Sequence, residues 1–122
     1  MRRTGAVALL LMLVTTRTQA EELVVAAWYG NELRGHRTAS GEMFDPDGLT
    51  AAHRSLPFGT CLVVGNPKTG QTVSVRVNDR GPFATGTLDL SSGAAKAIGM
   101  RSTERVTMRR STYSDVASPQ RD

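Results

Sequence analysis

Carboxylates in the turn-rich parts of the chain are the groups best suited to chemistry. Asp79 follows an alternating apolar segment, stands between Asn78 and Arg80, and is followed two residues later by Gly81. A carboxyl group that keeps its proton near neutral pH acts as a general acid, and a glycine lets a ligand approach the backbone closely. Because Arg80 favours the ionised form, the acid role requires its side chain to point away from Asp79. The alternative is that Asp79 only closes a turn.

Further titratable groups stand in similar contexts. Glu42 lies in a glycine-containing segment, and His53 ends a Thr-Ala-Ala-His run. His53 is interpreted either as the hydrogen-bond partner of a catalytic carboxylate or as a histidine whose ring is satisfied within the fold. Asp45 and Asp47 are interpreted as turn residues, and Asp89 precedes a predicted helix.

The histidines and the single cysteine do not form a metal-binding pattern. His36, His53 and Cys61 match no zinc-ligand spacing, so we expect no metal or other cofactor and an activity that survives EDTA. Because Cys61 is the only cysteine, no disulfide can form within the chain. Its place in the apolar run 60–64 predicts a small buried side chain rather than a nucleophile.

The first twenty residues differ from the rest of the chain. Arg2 and Arg3 precede the apolar run 6–14, and a polar stretch then ends at Ala20. This pattern predicts a secretory signal peptide over residues 1–20. The run is too short to span a membrane, and no cysteine follows it directly. We therefore expect a mature chain without a transmembrane or lipid anchor.

Composition bounds the remaining possibilities. A chain of 122 residues predicts one domain and excludes repeat arrays and large cofactor folds. The formal net charge is +4, but the chain without the predicted leader has 12 basic and 11 acidic residues, so its net charge is close to zero. The one dense basic cluster is interpreted as a solvated edge rather than a nucleic-acid surface, and it consists of Arg101, Arg105, Arg109 and Arg110.

The elements that must position these groups are short strands separated by turns. Alternation and β-branched residues predict strands at 23–29, 60–64, 71–77, 87–90 and 104–109, the second and third forming a hairpin. Ser91 is predicted to cap a helix that ends before Gly99. Residues 21–113 are therefore predicted to form an all-β domain, a small closed barrel, followed by a flexible tail at 114–122.

Five segments together resemble the rare lipoprotein A family. They are Ala27–Gly30, Arg37–Asp45, Thr50–His53, Leu56–Thr60 and Val75–Phe83, in order and at compatible spacing. The resemblance implies a six-stranded double-psi β-barrel with one or two short helices, related to expansins. It also implies an endolytic lytic transglycosylase that cleaves MurNAc–GlcNAc bonds in peptide-poor peptidoglycan and forms 1,6-anhydro-MurNAc ends. The lipid anchor and the glycan-binding repeat domain of many members have no matching segment, so septal localisation is not expected on this basis.

The resemblance assigns catalytic roles to Glu42, His53 and Asp79. A lytic transglycosylase uses the 6-hydroxyl of the muramic acid residue as its nucleophile, so one acid that turns base suffices, and Asp79 is expected to be that group. His53 is expected to hydrogen-bond Asp79 or a sugar hydroxyl. Glu42 is expected to hold the geometry of the groove or to stabilise positive charge on the sugar.

Further residues are expected to contact the glycan around these three groups: Trp28, Tyr29, Asn78, Arg80 and Gly81. Trp28 is also interpreted as a core residue, the alternative that its position favours, because an aromatic side chain on a first barrel strand more often packs inside. Gly81 and Pro82 are also expected to shape their loop.

The expected partner is the glycan strand of peptidoglycan, bound by a monomer in the periplasm or outside the cell, and no nucleic acid is expected. The alternative function is a non-catalytic, expansin-like protein that binds polysaccharide. Pure binding relies on aromatic platforms, and this chain has only one Trp, two Tyr and three Phe. That composition favours the enzyme.

Overall fold

A computed structural model describes residues 20–111, which form a closed barrel of six strands with one short α-helix and one turn of 3-10 helix at Asn31–Leu33. The elements are β1 (Glu22–Tyr29), β2 (Thr50–Ala52), β3 (Cys61–Gly65), β4 (Thr72–Asp79), β5 (Thr87–Ser91), α1 (Ser92–Ala97) and β6 (Glu104–Arg110). Around the barrel the order is β1-β5-β2-β4-β3-β6. The predicted all-β barrel is confirmed.

The barrel mixes parallel and antiparallel pairs. β1 pairs with β5 and β2 pairs with β4 in parallel, while the other four neighbours are antiparallel, including the predicted β3–β4 hairpin. The sequence analysis did not predict β2, a strand of three residues. This short strand joins β4 to β5 and so brings the segments that carry Asp79 and Asp89 next to each other.

Side-chain alternation fills the barrel. On β4, Val73, Val75 and Val77 are buried, while Thr72 and Arg76 face outward, as the sequence pattern predicts. Matching inward positions on the other strands complete the core with Val24, Ala26, Ala51, Leu62, Val64, Leu88, Leu90, Val106 and Met108. The helix α1 packs beside this core through Ala94 and Ala95.

The ends of α1 have the predicted caps. The Ser91 hydroxyl accepts a hydrogen bond from the Ala94 N–H at 3.2 Å, which satisfies a free donor of the first turn. Gly99 has a φ of +66°, the left-handed conformation that stops a helix. The Gly93 N–H donates to the Pro46 carbonyl at 2.7 Å, so the start of the helix is fastened to the segment before β2.

Two expectations about burial need correction. Cys61 is exposed rather than buried, because β3 turns Leu62 and Val64 inward and Cys61 outward. Trp28 is 46% exposed and so is not a core residue, although its position in the alternation of β1 is an inward one. It is the penultimate residue of β1.

Predictions for the chain ends are not addressed by this structure. The predicted signal peptide and the predicted tail at 114–122 lie outside the described residues. Between residues 20 and 111, no helix has the length and hydropathy needed to cross a membrane.

Candidate active site

Asp79 ends β4, and its carboxylate is held in one orientation. Its Oδ1 accepts hydrogen bonds from the backbone N–H groups of Ala39 at 2.9 Å and Arg80 at 2.8 Å. The side chain is half-buried, and Oδ2 makes no hydrogen bond with any residue between 20 and 111. One oxygen therefore anchors the group and the other remains available for proton transfer.

Arg80 points away from Asp79, as the acid–base role requires. Its Nη1 donates to the Leu56 carbonyl at 2.8 Å, and its guanidinium carbon lies 3.9 Å from the centroid of the Phe58 ring. This cation–π contact and hydrogen bond fasten the loop between β2 and β3 beside Asp79.

Asp89 occupies the same outer face of the barrel as Asp79. The strand register pairs Ala52 of β2 with Asp79 on one side and with Asp89 on the other, and Ala27 of β1 also pairs with Asp89. The register between β2 and β4 shifts between Ala51 and Ala52, so Asp79 pairs with Ala52 and leaves the inward alternation that ends at Val77. Two inter-strand spacings place the Asp79 and Asp89 backbones roughly 10 Å apart, and the charges of both carboxylates act on Tyr29. Small alanine side chains line the floor between and beside the two carboxylates.

The environments of the two carboxylates differ. Asp89 is half-buried and makes no hydrogen bond with a described residue, whereas Asp79 accepts two. Burial raises the pKa of Asp89 above its ordinary value of 3.8, because a partly desolvated carboxylate is costly to ionise. Asp89 is therefore the group of this face better suited to keep a proton.

Tyr29 is the third polar group on this face. Its ring packs against Phe44 with centroids 4.6 Å apart, and its buried hydroxyl has no partner among residues 20–111. Burial raises the pKa of Tyr29, and the charges of Asp79 and Asp89 raise it further, so the hydroxyl stays neutral and keeps its proton. We call the surface formed by Ala27, Tyr29, Ala52, Asp79 and Asp89 the carboxylate groove.

Trp28 does not belong to the carboxylate groove. It pairs in register with Leu90, which is fully buried, so alternation directs Trp28 to the opposite face of β1 from Ala27 and Tyr29. The two neighbouring aromatic residues therefore do not form one continuous platform, and only Tyr29 shares a face with the carboxylates.

Glu42 lies outside the carboxylate groove and forms an ion pair. Its Oε1 contacts Nη1 of Arg76, and its Oε2 accepts a hydrogen bond from Nη2 of Arg76 at 2.8 Å. Hydrogen bonding to Arg76 lowers the pKa of Glu42, so this carboxylate is ionised and engaged at neutral pH. Of the two expected roles for Glu42, the structure favours holding the geometry.

His53 meets Asp79 through its backbone rather than its ring. The His53 N–H donates to the Asp79 carbonyl at 3.2 Å, and Nδ1 accepts from the N–H groups of Ser55 and Leu56, both at 3.1 Å. Burial, with a smaller contribution from Arg54, lowers the pKa of His53. The ring is therefore neutral, and with Nδ1 assigned as acceptor its proton is on Nε2.

Two predicted contact residues lie beneath the surface. Asn78 is only 2% exposed, and Gly81 is buried with a φ of +100°, a conformation that favours glycine. No group of three or more His, Cys, Asp or Glu side chains in the described part of the chain is arranged to hold a metal ion.

The comparison with protein families decides the classification. The model of the family described as "Lytic transglycolase" matches residues 21–110. The chain belongs to this family. The resemblance proposed from the five sequence segments is thereby confirmed.

Two curated relatives of this chain have the same name. A protein from Synechocystis, named "Probable endolytic peptidoglycan transglycosylase RlpA", is 58% identical over 79 residues, which cover 64% of this chain and 25% of that protein. A Treponema pallidum protein of the same name is 41% identical over 128 residues, covering 99% of this chain and 40% of its own. The chain thus spans a quarter to two fifths of the length of these relatives.

Solved structures with the same fold come from an expansin. The apo structure of a Clavibacter michiganensis expansin superimposes with a TM-score of 0.64 at 23% identity, covering 77% of this chain and 52% of the expansin. A single-substitution variant of that expansin in complex with cellohexaose gives a TM-score of 0.62 at 24% identity, covering 82% and 54%. These likenesses support the double-psi β-barrel fold of this lytic transglycolase family member.

Sequence reasoning missed the groove role of Asp89 and the ion-pair role of Arg76. In the sequence Asp89 is only a residue before the predicted helix, and its relation to Asp79 depends on the register of the unpredicted strand β2. Arg76 is 34 positions from Glu42, so no local spacing links them. The alternation of β4 alone shows that Arg76 faces outward.

Tyr29→Phe tests the buried hydroxyl. A buried hydroxyl without a partner costs free energy, so its removal with retention of the ring is expected to raise the stability by up to about 1 kcal/mol. Thermal unfolding of both proteins measures this, with Tyr29→Leu as a control that also removes the contact with Phe44 and is expected to destabilise. A lower melting temperature for Tyr29→Phe would mean that the hydroxyl has a partner in solution.

Proposed function

We propose that this protein is an endolytic peptidoglycan transglycosylase that cleaves MurNAc–GlcNAc bonds and leaves 1,6-anhydro-MurNAc ends. The observation that carries the proposal is the carboxylate groove, where two carboxyl groups with different environments flank a floor of small side chains on one outer face. The names of the curated relatives support the same activity and substrate.

The two carboxylates divide the proton transfers. Protonated Asp89 donates its proton to the glycosidic oxygen, and the bond between that oxygen and C1 of MurNAc breaks. The 6-oxygen of the same MurNAc forms the new bond to C1, and its proton passes to the free Oδ2 of ionised Asp79. No water is consumed, and a proton returned from Asp79 to Asp89 through solvent restores the site. Asp79 thus acts as the base, and Asp89 supplies the acid that the sequence analysis assigned to Asp79.

A neutral donor beside the carboxylate groove binds the sugar. The Nε2–H of His53 donates to a sugar hydroxyl without adding charge. The positive charge that develops on the sugar ring in the transition state is stabilised by the ionised Asp79. Arg80 holds the loop that carries His53 through its contacts with Leu56 and Phe58.

We further propose that the protein acts as a monomer on peptide-poor glycan strands in the periplasm or outside the cell. Export is supported by the pattern of residues 1–20, in which two arginines precede an apolar run and a small residue, Ala20, stands at the predicted cleavage site. Preference for peptide-poor strands rests on the family resemblance.

The test is product analysis by mass spectrometry. The purified protein is incubated with peptidoglycan sacculi, with and without prior removal of the stem peptides, and each sample is repeated in EDTA. We expect soluble fragments ending in 1,6-anhydro-MurNAc, more from peptide-free sacculi, and equal amounts with EDTA. Absence of soluble product from a protein that still sediments with the sacculi would overturn the proposal in favour of expansin-like binding.

A further inference from the structure

Residues 37–43 form a small hairpin that is rigid within itself. An antiparallel bridge joins Arg37 to Met43, and the Thr38 N–H donates to the Glu42 carbonyl at 2.7 Å. The Gly41 N–H donates a hydrogen bond to the Thr38 carbonyl at 2.9 Å, and Gly41 has a φ of +92°. We call this segment the 37–43 hairpin. Its internal bonds mean that it moves as one piece.

Three links fasten the 37–43 hairpin to the end of β4. The Ser40 N–H donates to the Asn78 carbonyl at 3.2 Å, and the Ala39 N–H donates to Oδ1 of Asp79 at 2.9 Å. The third link is the two-point ion pair between Glu42 and Arg76. It alone joins two side chains through opposite charges, and its two parallel bonds fix direction as well as distance.

The chemistry of Glu42 excludes direct proton transfer in this arrangement. Both carboxylate oxygens are bonded to the Arg76 guanidinium, and hydrogen bonding to Arg76 lowers the pKa of Glu42. An ionised carboxylate has no proton to donate near neutral pH, and each oxygen of Glu42 already accepts a hydrogen bond from Arg76. Its effect on the reaction must therefore pass through the hairpin that it fastens.

We infer that Glu42 and Arg76 form a clamp that seats the 37–43 hairpin on β4, so that the Ala39 N–H holds the Asp79 carboxylate in its reactive orientation. Glu42 is a positioning residue, and Arg76 is its required partner. This inference rests on the proposed function and specifies how the same site is assembled.

The clamp serves orientation more than stability. Its two side chains are 43% and 44% exposed, and ion pairs at such positions contribute little to the free energy of unfolding. Orientation is more sensitive, because a misplacement of about 1 Å in a catalytic group can cost on the order of 100-fold in rate. Loss of the clamp is therefore expected to lower kcat while the fold persists.

Exchange of the two charges tests the clamp. Glu42→Arg and Arg76→Glu each place like charges together, and each is expected to lower kcat by at least ~10-fold with a smaller change in KM. The double variant restores an ion pair in the opposite direction and is expected to recover kcat to within about threefold of wild type. Such recovery is impossible if the Glu42 carboxylate itself touches the substrate.

A matched control uses a second exposed ion pair. Nη2 of Arg34 lies 3.2 Å from Oδ2 of Asp47, in the two segments that flank the 37–43 hairpin, and neither of these side chains is hydrogen-bonded to a described residue of β4. Arg34→Glu breaks this pair with the same charge reversal, and its kcat is expected to stay within about twofold of wild type. A loss as large as that of Glu42→Arg would show a general effect of charge rather than a clamp.

A readout independent of turnover separates this inference from the proposed function. The NMR signal of the Ala39 amide reports its hydrogen bond to Asp79. It is expected to move in both single variants and to return in the double variant. If wild type releases no anhydro product, the proposed function fails and the amide signal still tests the clamp. Folded single variants with an unmoved signal, or a double variant that stays inactive while wild type is active, would overturn the inference.

Discussion

Asp79→Asn is expected to reduce the release of 1,6-anhydro-MurNAc products by ~10²–10⁴-fold, the range typical of a lost acid–base group. The amide keeps the size of the side chain, and its one oxygen still accepts from Ala39 and Arg80. It has no second oxygen to take the 6-hydroxyl proton. Initial rates measured by mass spectrometry on peptide-free sacculi give the change in kcat.

The control for Asp79→Asn is the same substitution in a turn. Asp45 is exposed, and its Oδ1 accepts from the Asp47 N–H at 3.0 Å, a bond that an asparagine oxygen also makes. Asp45→Asn is expected to retain the wild-type rate, and both variants are expected to unfold at the wild-type temperature. An Asp79→Asn protein that is folded and active would remove Asp79 from the mechanism.

Asp89→Asn is expected to lower the rate by ~10²-fold or more and to change its pH dependence. In wild type the rate should fall as the pH rises through the pKa of Asp89, because the ionised group has no proton to donate. Burial raises that pKa, so the fall occurs at a higher pH than the ordinary value of 3.8 would give. The residual rate of the variant should lack this fall. A pH–rate profile of both proteins measures the difference.

Stability distinguishes a catalytic role for Asp89 from a structural one. Its pKa is higher in the folded protein than the ordinary value of 3.8, so the folded state binds the proton more tightly than the unfolded state. This contribution is complete below pH 3.8 and is lost as the pH rises through the folded pKa. Asp89→Asn removes the cost of ionisation, so its melting temperature at pH 7 is expected to equal or exceed that of wild type. A lower melting temperature would indicate a structural role.

Much of the fold follows from local patterns. The valines of β4 alternate with polar residues over the whole strand, and Ser91 and Gly99 mark the ends of the helical segment. These patterns involve only residues that are close together in the sequence, so strands and helix ends can be predicted from them before the fold is known. The strand β2 has three residues, too few for an alternation to show, and its existence depends on pairing with β4 and β5.

Only part of the candidate site could be predicted from the sequence. Asp79 was found because its neighbours resemble a family segment and because it ends a clear strand. Asp89 needs the register across β2, and the partner of Glu42 needs the contact with Arg76, both of which are tertiary properties. The error at Cys61 has the same origin, since an apolar run does not say which of its alternating members face inward.

The short strand β2 determines the width and the floor of the carboxylate groove in two separate ways. Its width, the separation of Asp79 from Asp89, is set by two backbone hydrogen-bond ladders, which side-chain substitutions leave in place. Beneath its floor lies the side chain at position 52, a single methyl group that is only 3% exposed, so a larger side chain there would push into the groove. A change at Ala52 can therefore alter which sugar substituents fit without moving the two reacting groups apart. In such a barrel, a substitution at this position can change which glycans are bound while the same two carboxylates carry out the same reaction.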